Sequence, residues 1–184
     1  MISNNILAGL VIVVLVLSIV SVYSTMGSRP TTSITGMATG TTSVAVPAQV
    51  VISLPVNSID FGNMNINDVN DTLDDSPAPF QVQNDGSVDV NITVEATDLW
   101  SGTNGACPTS FYQFACGSGE VACGTGSITT FTNIPPTGSP TLAIANLGYT
   151  DSADQVELDI KVTVPSDEPA GAKSSTITFT ASQA

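Results

Sequence analysis

Three cysteines lie close together in one Gly-rich stretch of the chain, at Cys107, Cys116 and Cys123. Outside the cell, two of them are expected to form a disulfide bond that staples this stretch. A Cys116–Cys123 bond closes the shorter ring, although the spacing does not choose among the three pairings and Cys107 is the alternative partner. A zinc site is the weaker interpretation, because the chain has no histidine to complete a tetrahedral ligand set.

A second group with ligand chemistry is the acidic run before Pro77, which contains Asp68, Asp71, Asp74 and Asp75. Calcium takes about six to eight oxygen ligands, and acidic loops at the end of a β-sandwich often supply them. The run lacks the alternating Asp-x-Asp-x-Asp-Gly order of a dedicated calcium loop. We therefore expect solvated acids and no cofactor, with calcium as the alternative.

Catalysis is the weakest interpretation of this sequence. Without histidine there is no Ser–His or Cys–His pair and no imidazole base. A Ser–Lys dyad would need Lys161, which is expected to point outward from a strand, or Lys173, which is expected in a turn. The sequence therefore predicts that the protein is not an enzyme.

The aromatic side chains near the cysteines are the remaining binding candidate. Trp100, Phe111, Tyr112 and Phe114 would form a glycan- or protein-binding patch if they were exposed. The favoured interpretation is that some of them cap the end of a hydrophobic core.

Composition restricts the partners and the location. The chain of 184 residues carries 16 acidic and 3 basic residues, a net charge of −13. Such a surface repels phosphate backbones, so nucleic-acid binding is excluded. An acidic protein with sequons at Asn70 and Asn91 is typical of the cell exterior, and we expect N-glycosylation at both.

The elements that must position these residues begin with an uncharged apolar stretch. A helix from Ile2 to Tyr23 would be about 33 Å long, enough to cross a hydrocarbon core. The sequence predicts this single long helix in residues 1–24, a Thr/Ser/Gly-rich linker or stalk in residues 25–48, and one acidic domain in residues 49–184. The apolar helix has to lie in lipid or among other helices.

The acidic domain has the alternation of β-strands. Val88–Val94 and Val156–Val164 place valine, isoleucine or leucine at every second position, and Ser175–Ala181 is a further strand. About seven short strands separated by Pro/Gly/Asp loops predict an all-β fold, an antiparallel Ig-like β-sandwich. The alternation places Asn91 on the solvent face.

The N-terminus resembles the mature N-terminal helix of archaeal type IV pilin-like proteins, since Ser3-Asn4-Asn5 is followed by an uncharged apolar run. The segments Ser58–Gly62, Pro79–Gly86 and Gly171–Phe179 are similar to archaeal surface proteins with an anchor and a β-sandwich. The resemblance implies that the helices pack into a filament core with the sandwiches outside.

The favoured hypothesis is therefore a structural subunit of an extracellular, pilus-like filament that inserts into the membrane before assembly. Helix packing would use Gly9, Val13, Val14 and Leu17. The alternative is a monomeric, membrane-anchored surface adhesin or envelope protein whose sandwich binds a glycan or cell-surface ligand. A strand around Val44–Ile52 is also a candidate to complete the sheet of a neighbouring subunit.

Overall fold

The computed structural model describes residues 10–19, 41–103, 105–117 and 119–184, and it is mostly β-structure. The chain divides into two compact units, Met1–Ala45 and Val46–Ala184. The described part of the first unit contains a helix at residues 10–19. The described part of the second contains nine strands: β1 Ile52–Val56, β2 Val69–Asp71, β3 Phe80–Asn84, β4 Val90–Ala96, β5 Tyr112–Cys116, β6 Thr132–Asn133, β7 Thr141–Leu147, β8 Gln155–Thr163 and β9 Ile177–Gln183.

The strands form two antiparallel sheets. The larger sheet has the order β1-β3-β8-β5-β6, with β2 beside the C-terminal half of β8, and the smaller has the order β7-β4-β9. Strands β4 and β8 are central because each pairs on both edges. Their alternating apolar side chains fill one shared core, in which Val90, Ile92, Val94, Val156 and Leu158 are fully buried.

Two contacts show which strands lie opposite each other. The rings of Phe80 in β3 and Phe179 in β9 meet edge to face, with centroids 5.6 Å apart. On the far side, Ile128 donates its N–H to Ala143 of β7 and accepts from Cys116 of β5. Strand β3 therefore lies opposite β9, and β5 lies near β7, which leaves β8 opposite β4.

Asn84 ties the two sheets together at the end of β3. Its side chain is only 1% exposed. The Nδ2 group donates to the carbonyl oxygens of Val88, Leu147 and Gly148 at 2.9, 3.1 and 2.8 Å, and Oδ1 accepts the N–H of Gly86 at 3.0 Å. One amide thus satisfies the start of the β3–β4 turn and the end of β7, because it presents donors and an acceptor at once.

The prediction of a long N-terminal helix is wrong. The helix that the structure describes has ten residues and is about 15 Å long. Six of these ten residues are Val or Ile, whose branched side chains lower helix propensity, and an isolated helix shorter than about 12 residues is marginal. The other residues of the predicted helix, 1–9 and 20–24, lie outside the described residues. None of the described helical segments has the length and apolar content needed to cross a membrane.

The predicted Ig-like arrangement of about seven strands also needs correction. The structure has six strands in one sheet and three in the other, a sandwich-like arrangement with a different strand order. The difference arises from short elements such as β2 and β6, which are three and two residues long. Pairing with a neighbouring strand stabilises these short strands. Two or three residues are too few to show the alternation of apolar and polar residues from which a strand is predicted.

We predict that Asn84→Asp lowers the free energy of unfolding by about 3 kcal/mol, because it replaces the donating Nδ2 by an oxygen that faces three carbonyl groups. Urea denaturation followed by circular dichroism measures the change.

The matched control is Asn91→Asp, in which the Oδ1 that accepts the N–H of Asn146 at 3.0 Å is kept. Unglycosylated protein is used for both variants. Equal stability of the two variants would contradict the role assigned to Asn84.

Candidate functional site

The acidic run before Pro77 is largely engaged in its own turns. Three of the four calcium candidates accept hydrogen bonds from nearby groups: Asp68 from the N–H and Nδ2 of Asn65 (2.6 and 3.1 Å), Asp71 from the N–H of Leu73 (3.2 Å) and Asp74 from the N–H of Ser76 (3.2 Å). Within residues 10–19, 41–103, 105–117 and 119–184, no group of three or more Cys, Asp or Glu side chains is arranged to hold a metal ion.

The fourth candidate, Asp75, lies on an acidic groove that the sequence did not predict. The groove has a volume of about 380 Å³ and is lined by Asp75, Glu157 and Asp159 beside Cys116 and Phe131. The loop after β2 closes over the outward face of β8 at this point. Asp159, expected on a solvent-facing position, is therefore buried at 5% exposure.

Burial and mutual repulsion perturb the groove carboxyls. Burial, followed by the charges of Asp75 and Asp159, raises the pKa of Glu157 above its ordinary value. Burial also raises the pKa of Asp159, a hydrogen bond from Thr72 opposes this, and the charges of Asp71 and Asp75 add to the increase. Both carboxyls thus hold protons more tightly than exposed acids do.

Thr72 connects this groove to the central strand. Its hydroxyl donates to Asp159 Oδ1 at 2.8 Å and accepts the N–H of Ile160 at 3.0 Å. Its own N–H donates to the carbonyl of Ile160 at 3.1 Å. Thr72 is completely buried, and its hydroxyl both donates and accepts a hydrogen bond. These bonds hold the loop after β2 against β8.

Lys173 forms the Ser–Lys contact that the sequence analysis considered. Its Nζ donates to Ser101 Oγ at 2.8 Å and forms an ion pair with Glu168. Glu168 also accepts the N–H of Ser101, the hydroxyl of Ser101 and the N–H of Gly102, between 2.7 and 3.0 Å. Ser101, Glu168 and Lys173 thus join the loop after β4 to the loop before β9.

The electrostatics of Glu168 reflect these partners. Burial by itself would raise the pKa of Glu168, but the bonds from Lys173, Ser101 and Gly102 outweigh it and lower the pKa to about 2. The charged form is therefore the one that the fold stabilises. The other lysine in the domain, Lys161, lies 5.5 Å from the centroid of the Phe131 ring, a cation–π distance.

The aromatic cluster belongs mainly to the core. Trp100, Tyr112 and Phe114 are 9%, 4% and 0% exposed. The indole Nε1 of Trp100 donates to the carbonyl of Phe111 at 3.1 Å, which ties the loop after β4 to β5. A recognition patch centred on Trp100 would need this side chain on the surface.

The cysteine stretch contains one disulfide, between Cys116 and Cys123, and a free thiol at Cys107. Burial, followed by the charge of Asp98 and a hydrogen bond with it, raises the pKa of Cys107 to about 11. This thiol therefore stays protonated at neutral pH and is a poor nucleophile.

The two sequons lie on strands. Asn91 is half-buried on β4, and its Oδ1 accepts the N–H of Asn146 at 3.0 Å. Asn70 is half-buried on β2 and its Oδ1 accepts the N–H of Asp71 at 3.0 Å. The sequon of Asn70 ends in Thr72, which is completely buried.

The assembly candidates lie on the short helix. Val13, Val14 and Leu17 are 56%, 59% and 63% exposed, and Gly9 lies outside the described residues. Nine large apolar side chains of this helix are between 52% and 63% exposed. Water-exposed apolar surface of this extent is typical of a segment that another surface covers.

We compared the chain with protein-family models, with curated proteins and with solved structures, and none of the three comparisons found a match.

Sequence reasoning missed the groove formed by Glu157 and Asp159 and the contacts of Glu168. The alternation in β8 marks Asp159 as outward-facing, and it carries no information about the loop that covers it. A signal for Glu168 was present in the proximity of Glu168 and Lys173 on either side of Pro169-Ala170-Gly171.

We predict that the Glu168 contacts stabilise the fold above about pH 4.5 and that this contribution is lost as the pH falls towards 2. The sign follows because the folded pKa of about 2 lies below the ordinary value of 4.5. The difference in stability between the wild type and Glu168→Gln, measured by urea denaturation from pH 7 to pH 2, should shrink over this window.

Glu157 and Asp159 have the opposite effect, because their raised pKa values favour the folded state as the pH falls. This effect is present in both proteins, so it cancels when the stability of Glu168→Gln is subtracted from that of the wild type at each pH. The control is Asp167→Asn, which alters a single described contact, with the N–H of Thr103. A difference that does not change with pH would contradict the prediction.

We also predict that replacing Cys116 and Cys123 together by serine lowers the stability by roughly 2 to 3 kcal/mol, the chain-entropy value for a loop of this size. Cys107→Ser is the control. Non-reducing digestion that cuts after Glu120 and at Phe111 or Tyr112 puts each cysteine on its own peptide. Recovery of a Cys107-linked pair would contradict the assignment.

Proposed function

We propose that this protein is a structural subunit of an extracellular, pilus-like filament. In this proposal the apolar segment that includes residues 10–19 is buried between copies of the chain, and the acidic β domain forms the outer layer. The filament is a homopolymer, and its subunits enter the membrane before they assemble.

The observation that carries the proposal is the exposure of the helix at residues 10–19. Every residue from Leu10 to Leu17, and Ile19, has a large apolar side chain that is more than half exposed. A helix that is apolar on all sides is stable only when it is surrounded. Copies of the same helix provide such surroundings without any further partner.

The free energy available from this burial is large. Covering the exposed parts of nine Val, Leu and Ile side chains gives on the order of 10 kcal/mol per subunit, before the cost of immobilising it. This free energy of burial is also enough to stabilise the helix at residues 10–19, whose Val and Ile content makes it marginal in isolation.

The charge distribution supports the same orientation. All 16 acidic residues lie at or after Asp60, in the β domain, whereas the preceding residues contain one charged side chain, Arg29. An acidic outer layer keeps a polymer soluble and prevents lateral sticking. An uncharged segment can be buried without desolvating any ion.

A membrane-anchored surface protein is the second candidate. Its support is the Thr/Ser/Gly-rich composition of residues 25–48, which suits a stalk that holds a domain away from a surface. In that case lipid covers the apolar segment and the chain functions as a monomer.

The filament proposal predicts that Val13→Asp prevents polymerisation, because each buried carboxylate would lack a partner. Material sheared from cells is examined by negative-stain electron microscopy, and its protein is identified by mass spectrometry. Circular dichroism of the same variant should report an unchanged β domain.

The control is Val13→Leu, which keeps the site apolar and should still give filaments. Regular filaments formed by Val13→Asp would contradict the proposal. A wild-type chain that remains with the membrane and extracts in detergent as a monomer would support the anchored protein.

A further inference from the structure

The two sheets do not match in width on the side of β1. Strand β3 lies opposite β9, the last strand of the smaller sheet, while the larger sheet continues to β1. No strand of the smaller sheet therefore lies opposite β1. The core-facing side chains of Ile52 and Leu54 in β1 are accordingly only partly buried.

The outer edge of β9 lies on the same side of the domain as β1. Ala184 donates its N–H to Asp89 and Thr97 donates to Thr176, so even-numbered residues of β9 pair with β4. By the alternation of an antiparallel ladder, the N–H and C=O groups of Ile177, Phe179, Ala181 and Gln183 point outward. These groups make no backbone hydrogen bond with any residue that the structure describes.

The outer edges of β1, β6 and β7 are protected. Strand β1 contains Pro55 and a register irregularity, and β6 has only two residues. Strand β7 is covered by the preceding loop. The N–H of Ala145 donates to Ser127 Oγ at 2.9 Å, and the N–H of Ile128 donates to the carbonyl of Ala143 at 3.0 Å. Prolines, irregularities, short strands and covering loops are the usual means of preventing edge-to-edge pairing.

Strand β9 has none of these features. It is seven residues long, runs in continuous register with β4, and contains neither proline nor a charged residue. Its core-facing side chains, Ile177, Phe179 and Ala181, are partly exposed at the open edge. In a chain with a net charge of −13, an uncharged edge of this length is suited to accept another strand.

The chain carries a segment that matches this edge. Residues 41–46, with the sequence TTSVAV, have no assigned secondary structure, and Val44 and Val46 are 89% and 77% exposed. Thr42, Val44 and Val46 alternate with Ser43 and Ala45 in the pattern of a strand with one apolar face. The segment is uncharged, and Pro47 ends it.

The segment starts from a fixed point on the β domain. Gln49 and Ser87 are joined by two hydrogen bonds of 2.9 Å, one from Gln49 N to Ser87 Oγ and one from Ser87 N to Gln49 O. These bonds attach the chain just after Pro47 to the β domain, and Val46, the last residue of the segment, is 77% exposed.

We propose that residues 41–46 of one copy add as a strand to the outer edge of β9 in a second copy, on the side of β1. The outward groups of β9 form the ladder, and Val44 and Val46 pack over Ile52 and Leu54. Ser43 and Ala45 face the solvent. The inference rests on the proposed function and names the contact between neighbouring subunits.

The first test compares two aspartates at adjacent positions. Val44→Asp puts a carboxylate on the buried face of the added strand, and Ser43→Asp puts the same charge on its solvent face. The fraction of full-length chain that sediments as filaments should fall at least roughly tenfold for Val44→Asp and change little for Ser43→Asp. Equal values for the two variants would overturn the inference.

The second test blocks the acceptor. Ala181→Pro removes an N–H that points away from β4, so the β domain should keep its fold while the incoming strand loses a hydrogen bond and meets the ring. Circular dichroism checks the fold. Ala181→Val, which keeps the N–H, is the matched control and should still assemble.

Mixing the variants shows whether the strand passes between copies. Val44→Asp retains a working acceptor and Ala181→Pro retains a working donor segment, so an equimolar mixture of full-length chains in detergent should form dimers. Each variant alone should stay monomeric by light scattering. A mixture that remains monomeric would overturn the inference.

These outcomes separate the inference from the proposed function. If Val44→Asp and Ala181→Pro form filaments as the wild type does, strand addition is refuted and the proposed filament is not. An absence of wild-type filaments together with dimers in the mixture would refute the filament, while strand pairing between copies would hold.

Discussion

The packing of β4 against β8 is the constraint on which the rest of the β domain depends. Each of these strands pairs on both edges, and their alternating side chains fill the shared core. Once the two strands face each other, β3 and β9 meet on one side through Phe80 and Phe179. Loops can then bury polar groups such as Thr72 and Glu168 only where a hydrogen-bond partner is already fixed.

Polar contacts secure the periphery of this core. Asn84 joins the ends of the two sheets, and Glu168 draws the loop at Ser101 to the loop at Lys173. Both use buried acceptors or donors that are fully paired, so they lock one arrangement of the loops. The acidic groove at Asp159 differs, because its neighbours are carboxyls that repel it. Paired hydrogen bonds and an ion pair thus hold the loops around the core, whereas the carboxyls of the groove repel one another.

Assembly would use the parts that this framework leaves uncovered. The helix at residues 10–19 offers non-directional apolar surface, which provides affinity and little orientation. An added strand at β9 would supply directional hydrogen bonds, which fix how one subunit follows the next. The two contacts are complementary, since hydrogen bonds at an edge are weak without apolar burial. A polymer that uses both would be strongly held and regular.

The sequence by itself determined the β-strands with strict alternation, such as β4 and β8, the separation of uncharged from acidic residues, and the absence of histidine chemistry. These features depend on residue type and local period alone. Tertiary structure decided the burial of Asp159, the partners of Glu168 and Asn84, the two-residue strand β6, and the open edge of β9. These depend on which segments meet across many residues of chain, and alternation within one strand does not encode its neighbours. The predicted long helix was wrong for a related reason: apolar composition marks a segment for burial, while the length of its helix depends on what surrounds it.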